Sequence, residues 1–148
     1  MEIRTTRIET SSRGGADMVD LTDDLAGIVR EQGLEEGQAL VFVTGSTGAL
    51  TTIEYEPGLI RDVPEILDKL IPAGNYHHDQ TWLDGNGHSH LRASLMGPSL
   101  TVPVENGQLL LGTWQQVVLV DMDNRPRRRE IVVQLMGQFP SSSEHIES

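Results

Sequence analysis

The last third of the sequence constrains the fold most. Runs rich in β-branched and apolar residues at 100–104, 108–111, 114–122 and 129–136 are separated by short turn clusters, Glu105-Asn106-Gly107 and Asp123-Asn124-Arg125-Pro126. Parallel strands need a crossover of a dozen or more residues, so connections this short predict antiparallel neighbours. The earlier chain adds strands at 2–10, at Ala39 to Val43 and at Ala49 to Tyr55, with a turn at 11–15. A helix capped by Asp20 or Thr22 and running to about Gln32 puts Leu21, Leu25, Ile28 and Val29 on one face. A second begins at Pro57, with Leu59, Ile60, Val63, Ile66, Leu67 and Leu70 at helical spacing and Pro64 expected to kink or split it. Residues 76–90 read mainly as loop, followed by a short helical turn from His90 to Met96. The expected class is α+β: one domain over 1–140, a mostly antiparallel sheet of seven to eight strands and two main helices, then a polar tail at 141–148.

Composition narrows the function. A net charge of -11 argues against nucleic acid as a partner, because phosphate backbones call for a basic surface. Cysteine is absent, which removes disulfides and thiolate chemistry. No apolar run reaches the ~20 residues of a membrane helix. The N-terminus lacks the layout of a signal peptide, so a cytoplasmic protein without membrane contact is expected. Lys69 is the lone lysine among 11 basic residues, and acid excess of this kind also suits a chain kept soluble in strong salt.

Four of the five histidines lie between His77 and His90, among Gly, Asn and Asp. Imidazole is the commonest metal ligand and titrates near neutral pH. In an extended segment His88 and His90 would share a face, and His78 could close a three-histidine set for a divalent metal. The same histidines would also suit a solvated loop. Thr44-Gly45-Ser46-Thr47-Gly48 follows a buried strand and could offer N–H groups and the Ser46 and Thr47 hydroxyls to an anion, or simply turn the chain. It lacks the lysine of a nucleotide-binding P-loop. Glu54 and Glu56 would lie on one face as a carboxylate pair for a cation or for acid–base work, or as a solvated edge. Arg61 and Arg92 are candidates for a phosphate contact or for surface ion pairs. Trp114 and Gln115 could line a pocket or a subunit interface, with Trp114 otherwise a core residue.

The run Thr47-Gly48-Ala49-Leu50-Thr51 with Glu54, the Tyr76-x-His78-Asp79 element, Ser89-His90, Gly97-Pro98-Ser99-Leu100 with Val102-Pro103-Val104, and Leu111-Gly112-Thr113-Trp114-Gln115 occur in this order. Together they resemble the YjbQ family (UPF0047, secondary thiamine-phosphate synthase) over roughly residues 3 to 137. The resemblance implies a compact α+β protein that assembles as a homotrimer. It also implies a histidine-lined pocket suited to a zinc-like or magnesium ion between subunits. A weak synthase activity that joins a pyrimidine diphosphate to a thiazole phosphate is implied as well. His78 and His90 match family positions and, with Glu54, are the implied catalytic residues. Many members carry a histidine where this chain has Gly45, so His88 is expected to replace it as a metal ligand beside His78 and His90. A small phosphorylated ligand would meet Ser46, Thr47, Arg61, Arg92, Trp114 and Gln115. The alternatives are a metal-dependent hydrolase and a non-enzymatic trimeric protein that binds a metal or small ligand.

Overall fold

The run Val117-Val118-Leu119-Val120 organises the molecule, because all four side chains are buried. A strand can bury both faces only between two other layers. Val117 and Leu119 point into one core cluster and Val118 and Val120 into another, following the two-residue alternation of a strand. The computed structural model describes residues 1–140. The polar tail read at 141–148 lies outside the described residues.

In chain order the elements are β1 (Glu2–Ser12), β2 (Asp17–Asp20), α1 (Thr22–Gln32), β3 (Glu36–Val43), β4 (Gly48–Ile53), α2 (Pro57–Leu70), α3 (His77–Trp82), α4 (Gly87–Met96), β5 (Ser99–Glu105), β6 (Gln108–Leu109), β7 (Gln116–Asp121) and β8 (Arg127–Gln138). Five strands form one sheet in the order β1-β8-β3-β5-β6, and three form a second in the order β2-β7-β4. Every pairing is antiparallel. The fold is therefore α+β and a single domain, with eight strands and four helices among the described residues.

The larger core cluster lies between the sheets. It takes Val41 and Val43 from β3, Val102 and Val104 from β5, Ile131, Val133 and Leu135 from β8, and Leu25 and Val29 from α1. The smaller cluster lies on the other face of the three-stranded sheet, where Ile60, Val63 and Leu67 of α2 and Ala93 and Met96 of α4 cover Met18, Val118 and Val120.

Several expectations from the sequence are corrected. The cluster at 123–126 reverses the chain without making a hairpin: β7 belongs to one sheet and β8 to the other. Turn residues specify a reversal, but not which edge the next strand joins. The two main helices stand as α1 and α2, but 76–90, read mainly as loop, contains all of α3 and the start of α4. There the Asp79 carboxylate takes the N–H groups of Tyr76 and Gly87, tying the two short helices together. A short strand, β2, precedes α1. Leu21 holds the capping position without a side-chain bond, while Asp20 accepts from the N–H and hydroxyl of Thr22. Helix α2 runs through Pro64 as one element, its first N–H groups taken by Glu56. Trp114 lies before β7 and is 72 % exposed, so it is neither a strand residue nor a core residue.

Candidate functional site

Helices α3 and α4 bring part of the histidine cluster together. The His78 and His90 rings stand 4.5 Å apart between centroids, tilted by 57°. Asn86, buried at the α3–α4 junction, lies between His78 and Asp84. Carboxylate oxygens only accept, so the Asn86 amide directs its Nδ2 to both Asp84 oxygens at 3.0 and 3.2 Å and to His78 Nε2 at 3.0 Å. His78 Nε2 then accepts, and in the neutral ring the proton sits on Nδ1. Asn124, from the turn after β7, donates to the Asp84 backbone carbonyl and anchors this loop to the end of the sheet.

His88 departs from the expected arrangement. It and His90 lie in α4 rather than in an extended segment, and residues two apart on a helix do not share a face. His88 Nδ1 is buried with no hydrogen-bond partner, as is the hydroxyl of Ser89. Burial, then the positive charge of Arg92, holds the His88 imidazole below its ordinary pKa. Among the described residues of one chain, no group of three His, Cys, Asp or Glu side chains is placed to hold a metal ion. The three-histidine set built on His88 is therefore not assembled within the chain.

The other expected residues are scattered. Arg92 is 4 % exposed and donates to Asp68 and to the Ile71 carbonyl, which fixes α4 to the end of α2 rather than presenting the guanidinium at the surface. Glu56 caps α2, so it does not pair with Glu54. Glu54, half-buried, and Arg61, exposed, have no side-chain partner among the described residues. Gln115 closes the turn before β7 by accepting from Gly112 N and donates to Thr52. It lines a cleft with Thr51, Ser99 and Thr101 between β4 and β5.

A second polar centre was missed in the sequence. Asp121 and Asp123 are fully buried, and Ser12, Thr47 and Arg129 nearly so. Arg129 grips Asp121 through Nε at 2.7 Å and Nη2 at 2.8 Å, and Nη2 also reaches Thr47 Oγ1 at 2.7 Å. Asp123 accepts from Arg127 at 2.6 Å and from Thr47 at 3.1 Å, and Ser12 donates to Asp121. Burial pushes both carboxyls up, but the hydrogen bonds and the arginines outweigh it and leave both below the usual carboxylate range. Alternation carried the signal: Asp121 shares the parity of Val117 and Leu119, and Arg129 that of Ile131 and Val133.

The fold and site define a class: a two-sheet antiparallel α+β protein with a pair of packed imidazoles at the α3–α4 junction and a buried aspartate–arginine network. The family model described as UPF0047 protein YjbQ-like matches residues 6–138. A UPF0047 protein of Archaeoglobus fulgidus is 38 % identical over 130 residues, covering 87 % of this chain and 97 % of the relative. One from Methanothermobacter thermautotrophicus is 35 % identical over 139 residues, 93 % and 95 % of the two chains. The crystal structure of a YbjQ-like protein of unknown function from Sulfolobus solfataricus superposes with a TM-score of 0.86 at 31 % identity, covering 93 % of this chain and 99 % of that one. The chain belongs to the YjbQ (UPF0047) family.

Proposed function

We propose that this protein is a secondary thiamine-phosphate synthase-like transferase working at a pocket between copies of the chain. The His78–His90 pair, backed by Asn86 and Asp84, carries the reading. In the transfer, a C–N bond forms between the thiazole nitrogen and the methylene carbon of the pyrimidine substrate. The C–O bond to diphosphate breaks, and its electron pair leaves with the diphosphate. That departure calls for proton donation or positive charge at the leaving oxygens. A ring N–H of His78 or His90 can give a hydrogen bond there.

A divalent ion is proposed as the cofactor, and it would supply charge neutralisation. Two imidazoles do not complete a zinc-like set within one chain, and His78 Nε2 already faces Asn86. A magnesium-like ion prefers oxygen ligands, so a substrate diphosphate rather than the imidazoles would have to hold it.

Self-association is supported by exposed apolar side chains on and next to the histidine-bearing helices: Trp82 at 71 %, Leu83, the cap of α3, at 86 % and Leu95 at 79 %. Where such groups form a contiguous patch they mark a contact surface. Purified protein given the pyrimidine diphosphate and the thiazole phosphate should form thiamine phosphate, with production abolished by His78→Ala combined with His90→Ala. Equal product from the wild type and this variant would sink the transferase reading. Saturable ligand binding without turnover would assign a binding protein instead.

A further inference from the structure

Arg129 is only 7 % exposed, yet one end of its guanidinium is unused. Nε and Nη2 are taken by Asp121 and Thr47, while Nη1 has no acceptor among the described residues. Nη1 is also not among the buried polar atoms that lack a partner, so it reaches solvent. Gly45 lies over it: a Cβ added there would stand 2.8 Å from Nη1. The Gly45 backbone has φ of 111°, a conformation that glycine adopts without strain. Glycine at this position leaves the guanidinium uncovered.

The surrounding loop is rich in free donors. The backbone N–H groups of Gly45, Ser46 and Thr47 have no acceptor among the described residues. Ser46 is exposed and its hydroxyl has no partner there either. Charge is balanced below, with Asp121 and Asp123 set against Arg129 and Arg127. An arriving anion therefore meets a guanidinium edge already oriented by a bidentate carboxylate, and ordering it costs little. Donors from a guanidinium, a hydroxyl and several backbone N–H groups converge better on a tetrahedral oxyanion than on a planar carboxylate.

We propose that Gly45 is a window through which Arg129 Nη1, together with the N–H groups and Ser46 hydroxyl of the 44–47 loop, binds a phosphoryl group. The inference rests on the phosphorylated-ligand reading above for the identity of the whole ligand, though not for binding of the anion itself. Neither Arg61 nor Arg92 is needed as the phosphate-contacting arginine.

The test is a nitrogen-15 NMR titration of the full chain with inorganic phosphate and, separately, glycerol 2-phosphate, at ionic strength held constant with chloride. The expected result is saturable shifts at the Gly45–Gly48 amides and the Arg129 guanidinium. Gly45→Ala should weaken the affinity by about tenfold, the equivalent of one charge-assisted hydrogen bond. Ser46→Ala, which leaves the buried network intact, should weaken it by a smaller factor. Shifts with both probes identify a phosphate monoester as the source, and shifts with inorganic phosphate alone identify the free ion. Either upholds the site. Absence of saturable shifts at this loop in the wild type, or unchanged affinity in both folded variants, would overturn it. The readout involves no turnover, so failure of the transferase reading leaves its own distinct signature.

Discussion

His88 and the buried aspartates give the protein two separate sensitivities to acid. His88 is kept neutral by burial and by Arg92, so the folded state binds its proton less readily than the unfolded chain does. The stability it contributes is complete above the unfolded value of 6.5 and declines as pH falls below it towards the depressed folded value. Asp121 and Asp123, also depressed, contribute stability that is complete above 3.8 and is lost as pH falls through their folded values. Denaturant titrations at pH values stepped down from neutrality should show a first loss beginning near 6.5 and a second below 3.8. His88→Gln should remove the first and keep the second. If the variant and wild-type curves run parallel through the first window, His88 is not its source. The buried network escaped sequence reading because arginines and aspartates beside a turn usually belong to solvent, and only their parity with Leu119 and Ile131 shows otherwise.

Helix α2 shows how one capping residue decides the reach of an element. It has no buried residue of its own and carries Pro64 inside, where the Ile60 carbonyl loses its N–H partner. Its start is set by Glu56, whose carboxylate takes the N–H groups of Gly58 and Leu59. Glu56→Ala should cost about 1 kcal/mol of stability, measured by urea unfolding. An unchanged midpoint would mean that water replaces the cap at no cost. The helical spacing of Leu59, Ile60, Val63 and Leu67 made α2 legible in the sequence, as the same spacing did for α1. Helix α3 and the first turn of α4 were illegible because His77 to His90 carries polar residues and glycine with no apolar period to follow, whereas the rest of α4 was read as the helical turn from His90 to Met96. Their order comes from Asp79, Asn86 and Asn124, contacts that close only in three dimensions. The histidines themselves were legible as a cluster. Their division into a touching pair, His78 and His90, and a separate His88 follows from the helix that the pattern concealed.

At the scale of the whole molecule, the exposed Trp82, Leu83 and Leu95 are the features a lone chain explains least. Light scattering coupled to size exclusion should give a mass several times 16.3 kDa, and Leu83→Asp should reduce it to that of one chain. A wild type that elutes as a single chain would remove the interface pocket from the functional reading. The antiparallel class was open to sequence reading, whereas the division into two sheets was not, because β7 and β8 join different sheets across a turn that resembles a hairpin.

The position of β8 has a consequence for how the chain reaches this state. The last strand lies inside its sheet, flanked by β1 and β3, and its pairing with β1 sets Glu2 opposite Gly137. In the described sheet β1 has β8 as its sole neighbour, so the first strand made has nothing to pair with until the last has been synthesised. Contacts so distant along the chain slow folding, because the loop must close before they return any energy. Residues Ile3 to Ile8 and the β8-facing edge of β3 stay unpaired meanwhile, and such open edges are where a nascent chain is exposed to aggregation.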